Sequence, residues 1–145
     1  MATLHLGTTY LIVKDWEKSI AFYEALLEMK VTNQNFNRWA EFHFHGKSIS
    51  LFNPDFDEQM IASDEDIREK YNQAYLDYKA IPIRYGNNFV LNFWVEDLNA
   101  EYERVKALNI GEVSEILLIN VAMPYYCFML YDPDGNQIEI TGNWE

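Results

Sequence analysis

The chain has 145 residues, of which 49% are hydrophobic and 16% aromatic, which is enough to bury the core of one domain and argues against disorder. Its formal net charge of −12 argues against a nucleic-acid partner, because binding to phosphates needs a basic surface. The charge is compatible with a cationic ligand, although acidic surfaces also simply keep proteins soluble.

Features that would indicate targeting or disulfide bonding are few. Cys127 is the only cysteine, so no internal disulfide can form. Residues 1–7 lack the basic and apolar pattern of a signal peptide, and no apolar run approaches the ~20 residues that span a bilayer. We therefore expect a cytoplasmic protein without membrane contact.

The first predicted strand, Tyr10–Val13, leads into Asp15, whose side chain can cap the helix that follows. Apolar residues of this helix recur at the spacing of one helical face, which predicts that the helix packs on a sheet. These residues are Trp16, Ile20, Tyr23 and Leu26.

A hairpin follows, with predicted strands Trp39–His45 and Ser48–Phe52 joined by a two-residue turn at Gly46-Lys47. Alternation along the strands gives the hairpin one apolar face, which should pack under the helix, and one mixed face. The apolar face consists of Phe42, Phe44, Ile49 and Leu51. The cross-strand pairs that this turn predicts are His45 with Ser48 and His43 with Ser50.

Residues 53–87 come next and contain a third amphipathic pattern. Ser63 can cap a helix that runs to about Lys79. Its apolar face consists of Ile67, Tyr71, Ala74, Tyr75 and Tyr78. Three roles stay open for this helix: it could cover the mouth of a cavity, pack outside a sheet, or form a dimer contact.

The remaining sequence repeats the first module. Asn92–Val95 leads into Asp97, and Val95 lies 82 residues after Val13. The helix that follows again has one apolar face, formed by Leu98, Tyr102, Val105 and Leu108. The later strands are predicted at Val113–Ile119, Tyr125–Tyr131 and Gln137–Thr141, with a turn at residues 132–136.

The element order predicts an α+β fold of two βαβββ modules whose curved sheets surround a cavity. One domain, residues 1–145, would contain module 1 at about 5–52, a linker with an extra helix at about 53–87, and module 2 at about 88–141.

The second face of each predicted sheet carries aromatic and polar side chains together. A face exposed only to water would rarely be so rich in Trp and Tyr, and two such faces turned toward each other would form a ligand pocket. A sandwich interior or a dimer interface is the alternative. The predicted ligand-binding residues are Tyr10, Trp39, Glu41, His43, His45, Ser50, Phe52, Asn92, Trp94, Tyr125, Tyr131 and Glu139.

Two motifs lie near the ends of the chain. They are V-x-D-x-x-x-S-x-x-F-Y at residues 13–23 and D-P-D-G-N-x-x-E at residues 132–139. Together they resemble the glyoxalase/bleomycin resistance/extradiol dioxygenase (vicinal oxygen chelate) superfamily, over nearly the whole chain except residues 53–87. The resemblance implies the two-module fold. It implies little about function, because members include metal-dependent lyases, dioxygenases, antibiotic-modifying transferases and metal-free proteins that sequester drugs such as bleomycin.

Metalloenzymes of that superfamily hold a divalent ion with one ligand from each of four strands, and the ion stabilises negative charge on the substrate. Carried over by position, the ligands fall at Thr8, Ser50, Val90 and Glu139. Only the last is a usual ligand type, so the resemblance implies no metal cofactor here. A displaced metal site built from Glu41, His43 and His45 stays an alternative.

The favoured hypothesis is a metal-independent protein that binds a small molecule, aromatic or cationic, and sequesters a drug or metabolite. An enzyme is the first alternative, a glyoxalase-related lyase or a dioxygenase-like protein, with Glu139 and His43 as the catalytic candidates. A ligand-sensing module of a regulator is the second. Family members are often homodimers, and the open sheet edges also favour a homodimer.

Overall fold

The computed structural model describes residues 5–63, 67–86, 89–120 and 122–145, which form eight strands and five helices. The strands are β1 (Thr9–Ile12), β2 (Asn33–Asn35), β3 (Trp39–Phe44), β4 (Lys47–Phe52), β5 (Val90–Asp97), β6 (Leu117–Asn120), β7 (Pro124–Tyr131) and β8 (Gln137–Asn143). The helices are α1 (Trp16–Leu27), α2 (Pro54–Ser63), α3 (Ile67–Lys70), α4 (Gln73–Lys79) and α5 (Leu98–Leu108). The predicted α+β class is confirmed.

The strands form two four-stranded sheets with the same topology, β1-β4-β3-β2 and β5-β8-β7-β6. In each sheet the first strand pairs in parallel with the last, and the other pairs are antiparallel. Tyr10 pairs with Ser50, and Asn92, 82 residues after Tyr10, pairs with Glu139. The repeat that the sequence predicts is therefore present in strand order and in register.

The buried residues of α5, Leu98 and Val105, belong to its predicted face. In α1, Tyr23 and Leu26 of the predicted face are buried, whereas Trp16 and Ile20 are only half-buried. Asp97 caps α5 by accepting a hydrogen bond from the N–H of Ala100 at 3.0 Å, and Asn109 ends the helix in the left-handed region. The buried core of the sheets comes from the predicted apolar faces. Its members include Leu11, Val13, Phe42, Ile49, Leu51, Phe128, Leu130, Ile138 and Ile140.

The turn of the first hairpin differs from the prediction. Phe44 pairs with Lys47, so His45 and Gly46 are the two turn residues, and both have positive φ angles of 51° and 70°. This is the requirement of a type I′ turn, which Gly satisfies at its second position without steric cost. The predicted pairs were wrong: His43 lies opposite Ser48. Because the partner changes by two residues, every strand side chain keeps its predicted face.

The linker also differs from the prediction of one helix starting at Ser63. Ser63 is the last residue of α2, and its hydroxyl donates to the carbonyl of Gln59 at 2.8 Å. Residues 64–66 lie outside the described residues. The helix that ends at Lys79 is α4, which is shorter than the predicted helix. Asn72 caps it by accepting a hydrogen bond from the N–H of Tyr75.

The chain divides into two compact units. The first comprises residues up to 16 and 30–84, so it contains the sheet β1-β4-β3-β2 and the linker helices α2 to α4. The second comprises residues 17–29 and 85–145, so α1 belongs with the second sheet. Within the described residues, no helix is long and apolar enough to cross a bilayer.

Candidate ligand-binding site

A cavity of about 450 Å³ lies within the first unit. One wall comes from the mixed face of the sheet β1-β4-β3, and the other from the end of α4 and the segment 81–84. The lining residues are Tyr10, Ile12, Arg38, Trp39, Phe52, Pro54, Tyr75, Tyr78, Lys79, Ile81, Pro82, Ile83 and Arg84. A cavity of this size accommodates a ligand of one or two rings.

The sheet wall of the cavity is aromatic. Tyr10 on β1 lies 5.0 Å from Trp39 on β3, between ring centroids, with the two planes tilted by 60°. Tyr10 also meets Phe52 edge to face at 6.4 Å. These residues converge because Phe52 on β4 pairs with both Ile12 and Trp39, and alternate residues of neighbouring strands share a face. The three rings form a wall on which a planar ligand can stack.

The linker helices are attached to this sheet by one buried carboxylate. Asp57 on α2 is fully buried, and Arg38, the residue before β3, donates to it from Nε and Nη2 at 2.8 and 3.2 Å. The hydroxyls of Tyr71 and Tyr75 donate to the same carboxylate. Four donors on two oxygens satisfy a group that would otherwise be costly to bury.

The environment of Asp57 shifts the pKa of several groups. Burial raises the pKa of Asp57, but the hydrogen bonds from Arg38, Tyr75 and Tyr71 outweigh burial, and the pKa lies below its usual value. Burial and the bond to Asp57 raise the pKa of Tyr71 to about 12. The carboxylate is therefore ionised and the tyrosines are neutral at ordinary pH, as the donor geometry requires.

The charged residues at the cavity are all basic: Arg38, Lys79 and Arg84 line it, and no Asp or Glu appears among the described lining residues. Lys79 donates from Nζ to the carbonyl of Pro54 at 3.1 Å and lies 3.7 Å from Glu58. Arg38 also lies over the ring of Phe52, with Cζ 5.0 Å from its centroid. The net acidic composition therefore does not describe the charge at this cavity.

A second, open pocket of about 660 Å³ lies on the same sheet. There Oε1 of Glu41 lies 2.9 Å from Nε2 of His43, and Oε2 accepts from Nε1 of Trp39 at 2.9 Å. The bonds from Trp39 and His43 lower the pKa of Glu41. Thr8 and Ser48, whose hydroxyls are 2.6 Å apart, line the same pocket.

The second unit holds the other predicted site residues. Glu139 on β8 accepts from Nδ2 of Asn92 on β5 at 2.7 Å, and Thr141 lies 2.9 Å from the same amide. Trp94 and Tyr125 are exposed, and Tyr131 is half-buried. Cys127 is buried, and burial and the charge of Glu139 raise its thiol pKa, which disfavours nucleophilic chemistry.

The structure thus brings some predicted residues together and separates others. Tyr10, Trp39 and Phe52 line the 450 Å³ cavity, and Glu41 and His43 line the open pocket. Ser50 is fully buried beneath Thr8, to which it is hydrogen bonded, and His45 lies in the hairpin turn and is exposed. For the residues of the second unit and for the proposed catalytic roles of Glu139 and His43, the assignment stays a prediction.

Sequence reasoning missed the basic residues of the cavity. Arg38, Lys79 and Arg84 belong to no strand pattern or repeat, and only the fold brings them to one cavity. Tyr75 and Tyr78 could have been identified from the sequence, because both lie on the predicted apolar face of the linker helix.

The positions that correspond to the family's metal ligands do not fit a divalent ion. In the first unit Thr8 Oγ1 and Ser50 Oγ lie 3.0 Å apart and are hydrogen bonded to each other. In the second unit Val90 supplies no donor atom, and Glu139 is engaged by Asn92. Hydroxyl and hydrocarbon groups are poor substitutes for His and Glu. No group of three or more potential metal ligands occurs among the described residues.

Comparison with known proteins establishes the class. The model of the glyoxalase/bleomycin resistance protein/dioxygenase superfamily matches residues 4–140, and the chain belongs to this superfamily. None of the curated proteins compared with the chain matches it significantly.

Several solved structures share the fold. One from the mobile metagenome of V. pseudocholerae is 25% identical, with a TM-score of 0.64 and coverage of 98% of this chain and 96% of that chain. A lactoylglutathione lyase from Agrobacterium tumefaciens is 19% identical, with a TM-score of 0.63 and coverage of 96% and 93%. A bleomycin-binding protein complexed with bleomycin is 15% identical, with a TM-score of 0.57 and coverage of 97% and 99%.

Proposed function

We propose that this protein binds a planar small molecule in the cavity of its first unit, without a metal ion. The observation that carries the proposal is the aromatic wall of Tyr10, Trp39 and Phe52 in a cavity of about 450 Å³. Ring stacking supplies affinity there, and the linker helix α4 reduces contact with water. The metal-ligand positions lack the donor set for Lewis-acid catalysis. The bleomycin-binding protein is a member of the same fold that binds a ligand.

Removing the ring of Trp39 tests this proposal. We expect Trp39→Ala to weaken binding of an aromatic ligand about tenfold, since one stacking contact and its buried area are lost. Trp39→Phe should retain most of the affinity. The matched control is Trp94→Ala, which removes a tryptophan that does not line the cavity.

The measurement is a thermal-shift screen of one- and two-ring compounds, followed by calorimetric titration of those that stabilise the wild type. A screen in which no compound stabilises the wild type, or in which Trp39→Ala and Trp94→Ala behave alike, contradicts the proposal.

A second candidate function is catalysis at the open pocket. The observation in its favour is the pair of Glu41 and His43, which offers a carboxylate and an imidazole 2.9 Å apart beside the hydroxyls of Thr8 and Ser48. Metal analysis of protein purified without a histidine tag tests a metal-dependent form of this catalysis. Stoichiometric zinc, nickel or manganese that is lost in His43→Ala would favour a metal-dependent enzyme over the metal-free binding protein.

A further inference from the structure

We infer that the ligand of this cavity is an aromatic acid, a planar molecule that carries a carboxylate or a similar anionic group. The inference rests on the proposed function and names its ligand class. It comes from the basic residues of the cavity, Arg38, Lys79 and Arg84, which the aromatic wall does not require.

The distribution of charge at the cavity favours an anionic ligand. The chain has 11 Lys and Arg and 23 Asp and Glu, yet its described cavity lining has three basic residues and no acidic one. A cation in this cavity would lie beside these basic groups, and none of the described lining residues could serve as its counterion. Anions bind most tightly where basic groups lie beside apolar walls, because the lower dielectric constant there strengthens the electrostatic attraction.

These basic groups also have hydrogen-bond donors that no described residue uses. Arg38 uses Nε and Nη2 on Asp57, while among the described residues its Nη1 donates to no acceptor. The pair with Asp57 neutralises most of its charge but holds the guanidinium in place at the cavity wall, against Phe52. A fixed donor loses little entropy when a ligand binds.

The ammonium group of Lys79 is also fixed in place by a contact within the protein. One hydrogen bond to the carbonyl of Pro54 orients its ammonium group, whose side chain is only 11% exposed, and Glu58 at 3.7 Å is itself largely exposed. An ammonium group has three N–H donors, so donors remain for a ligand. Pro54 is itself a lining residue, which places the Nζ of Lys79 at the cavity.

Arg84 supplies a charge that no described acidic group balances. It lines the cavity from the segment after α4, is exposed, and makes no ion pair or hydrogen bond with any described residue. Its guanidinium can reach a ligand carboxylate from the rim, in the bidentate geometry that favours Arg for carboxylates. The rings would hold the aromatic part of the ligand and these basic groups its acidic part.

Three naphthalene compounds of one shape test the charge preference: 2-naphthoate, 2-naphthamide and 2-naphthylmethylammonium. Calorimetric titration of the wild type should show 2-naphthoate binding about tenfold more tightly than 2-naphthamide, the gain of one charged hydrogen bond. The ammonium compound should bind most weakly. Added salt should weaken the naphthoate alone.

Substitutions test which residues cause the preference for 2-naphthoate over 2-naphthamide. Arg84→Gln should weaken 2-naphthoate about tenfold and leave 2-naphthamide unchanged. Lys79→Met should act in the same direction. The matched control is Arg68→Gln, which makes the same change of charge on the exposed helix α3, outside the cavity lining.

The outcomes separate the two proposals. If all three compounds bind equally and Trp39→Ala weakens each of them, the cavity binds planar ligands but the anion preference is wrong. If the naphthoate preference persists in both Arg84→Gln and Lys79→Met, the basic residues named here are not its origin. If Trp39→Ala changes the binding of none of them, the proposed function itself fails.

Discussion

Asp57 shows at the residue scale how distant segments depend on one side chain. It is fully buried on α2 and accepts hydrogen bonds from Arg38, Tyr71 and Tyr75. Of these, Arg38 and Tyr75 also line the cavity. The carboxylate is therefore a positioning group for the cavity wall, although it makes no contact with the cavity itself.

Substitution of this carboxylate should destabilise the protein. Asp57→Asn leaves the guanidinium of Arg38 without its charged partner, and we expect a loss of about 2–3 kcal/mol in the free energy of unfolding. Urea denaturation at pH 7 measures the loss. Asp55→Asn, an exposed acidic residue of the same helix, is the matched control and should change stability by less than about 0.5 kcal/mol.

The contribution of Asp57 to the free energy of unfolding should depend on pH. The pKa of Asp57 is lower in the folded protein than in the unfolded chain, where it is about 3.9. The carboxylate therefore stabilises the fold fully when the pH is above about 3.9, and this stabilisation is lost as the pH falls through the folded pKa. The difference in stability between the wild type and Asp57→Asn should therefore narrow as the pH falls below about 4. A difference that is constant down to pH 2 would contradict the role of the ionised carboxylate.

At the scale of elements, close approach of two strands explains a glycine near the end of the chain. Gly142 on β8 pairs with Val95 on β5. A Cβ atom at Gly142 would lie 2.3 Å from the carbonyl oxygen of Val95 and 3.0 Å from its Cγ2. Only glycine allows the two backbones this separation, just before the register shifts between Val95 and Asp97.

A methyl group at this position should separate the strands. We expect Gly142→Ala to reduce the free energy of unfolding by about 2 kcal/mol, measured by urea denaturation. Gly86→Ala is the control, because a Cβ there meets no atom of the described residues within 4 Å. Equal stability of the two variants would show that β5 and β8 can move apart without cost.

For the whole molecule, the sheet of the second unit has a face with exposed apolar side chains. Residues of that face with large exposed fractions are Trp94 at 61%, Val90 at 43%, Tyr125 at 41% and Leu117 at 39%. Large apolar patches on a protein surface usually contact a partner. The homodimer expected from the sequence stays a prediction, and we propose this face as its contact surface, as an alternative to the ligand-binding role predicted for Trp94 and Tyr125.

The mass in solution tests the dimer. Light scattering coupled to gel filtration should give about twice the chain mass of 17.2 kDa at a protein concentration of about 10 μM. Val90→Glu, which places a charge on this apolar face, should shift the mass toward the monomer. A monomeric wild type would contradict the prediction, and an unchanged dimer in Val90→Glu would place the interface elsewhere.

The sequence by itself determined the two-module architecture and the inward face of nearly every strand. The cap at Asp97 and the alternating hairpins depend on contacts between near neighbours, which leave a local pattern in the chain. The 82-residue repeat was visible because both modules carry the same local patterns. The helical faces of α1 and α5 could be identified for the same reason.

Only the tertiary structure decided the hairpin register, the division of the linker and the composition of the cavity. Alternation with a period of two determines which face of the sheet a side chain lies on, but not its partner on the next strand. The turn at His45 and Gly46 therefore gives each residue a different partner from the predicted one and leaves its face unchanged. Arg38, Lys79 and Arg84 come together because Asp57 attaches the linker to the sheet. No periodicity records such long-range contacts, and the net charge of −12 gave no indication of a basic cavity.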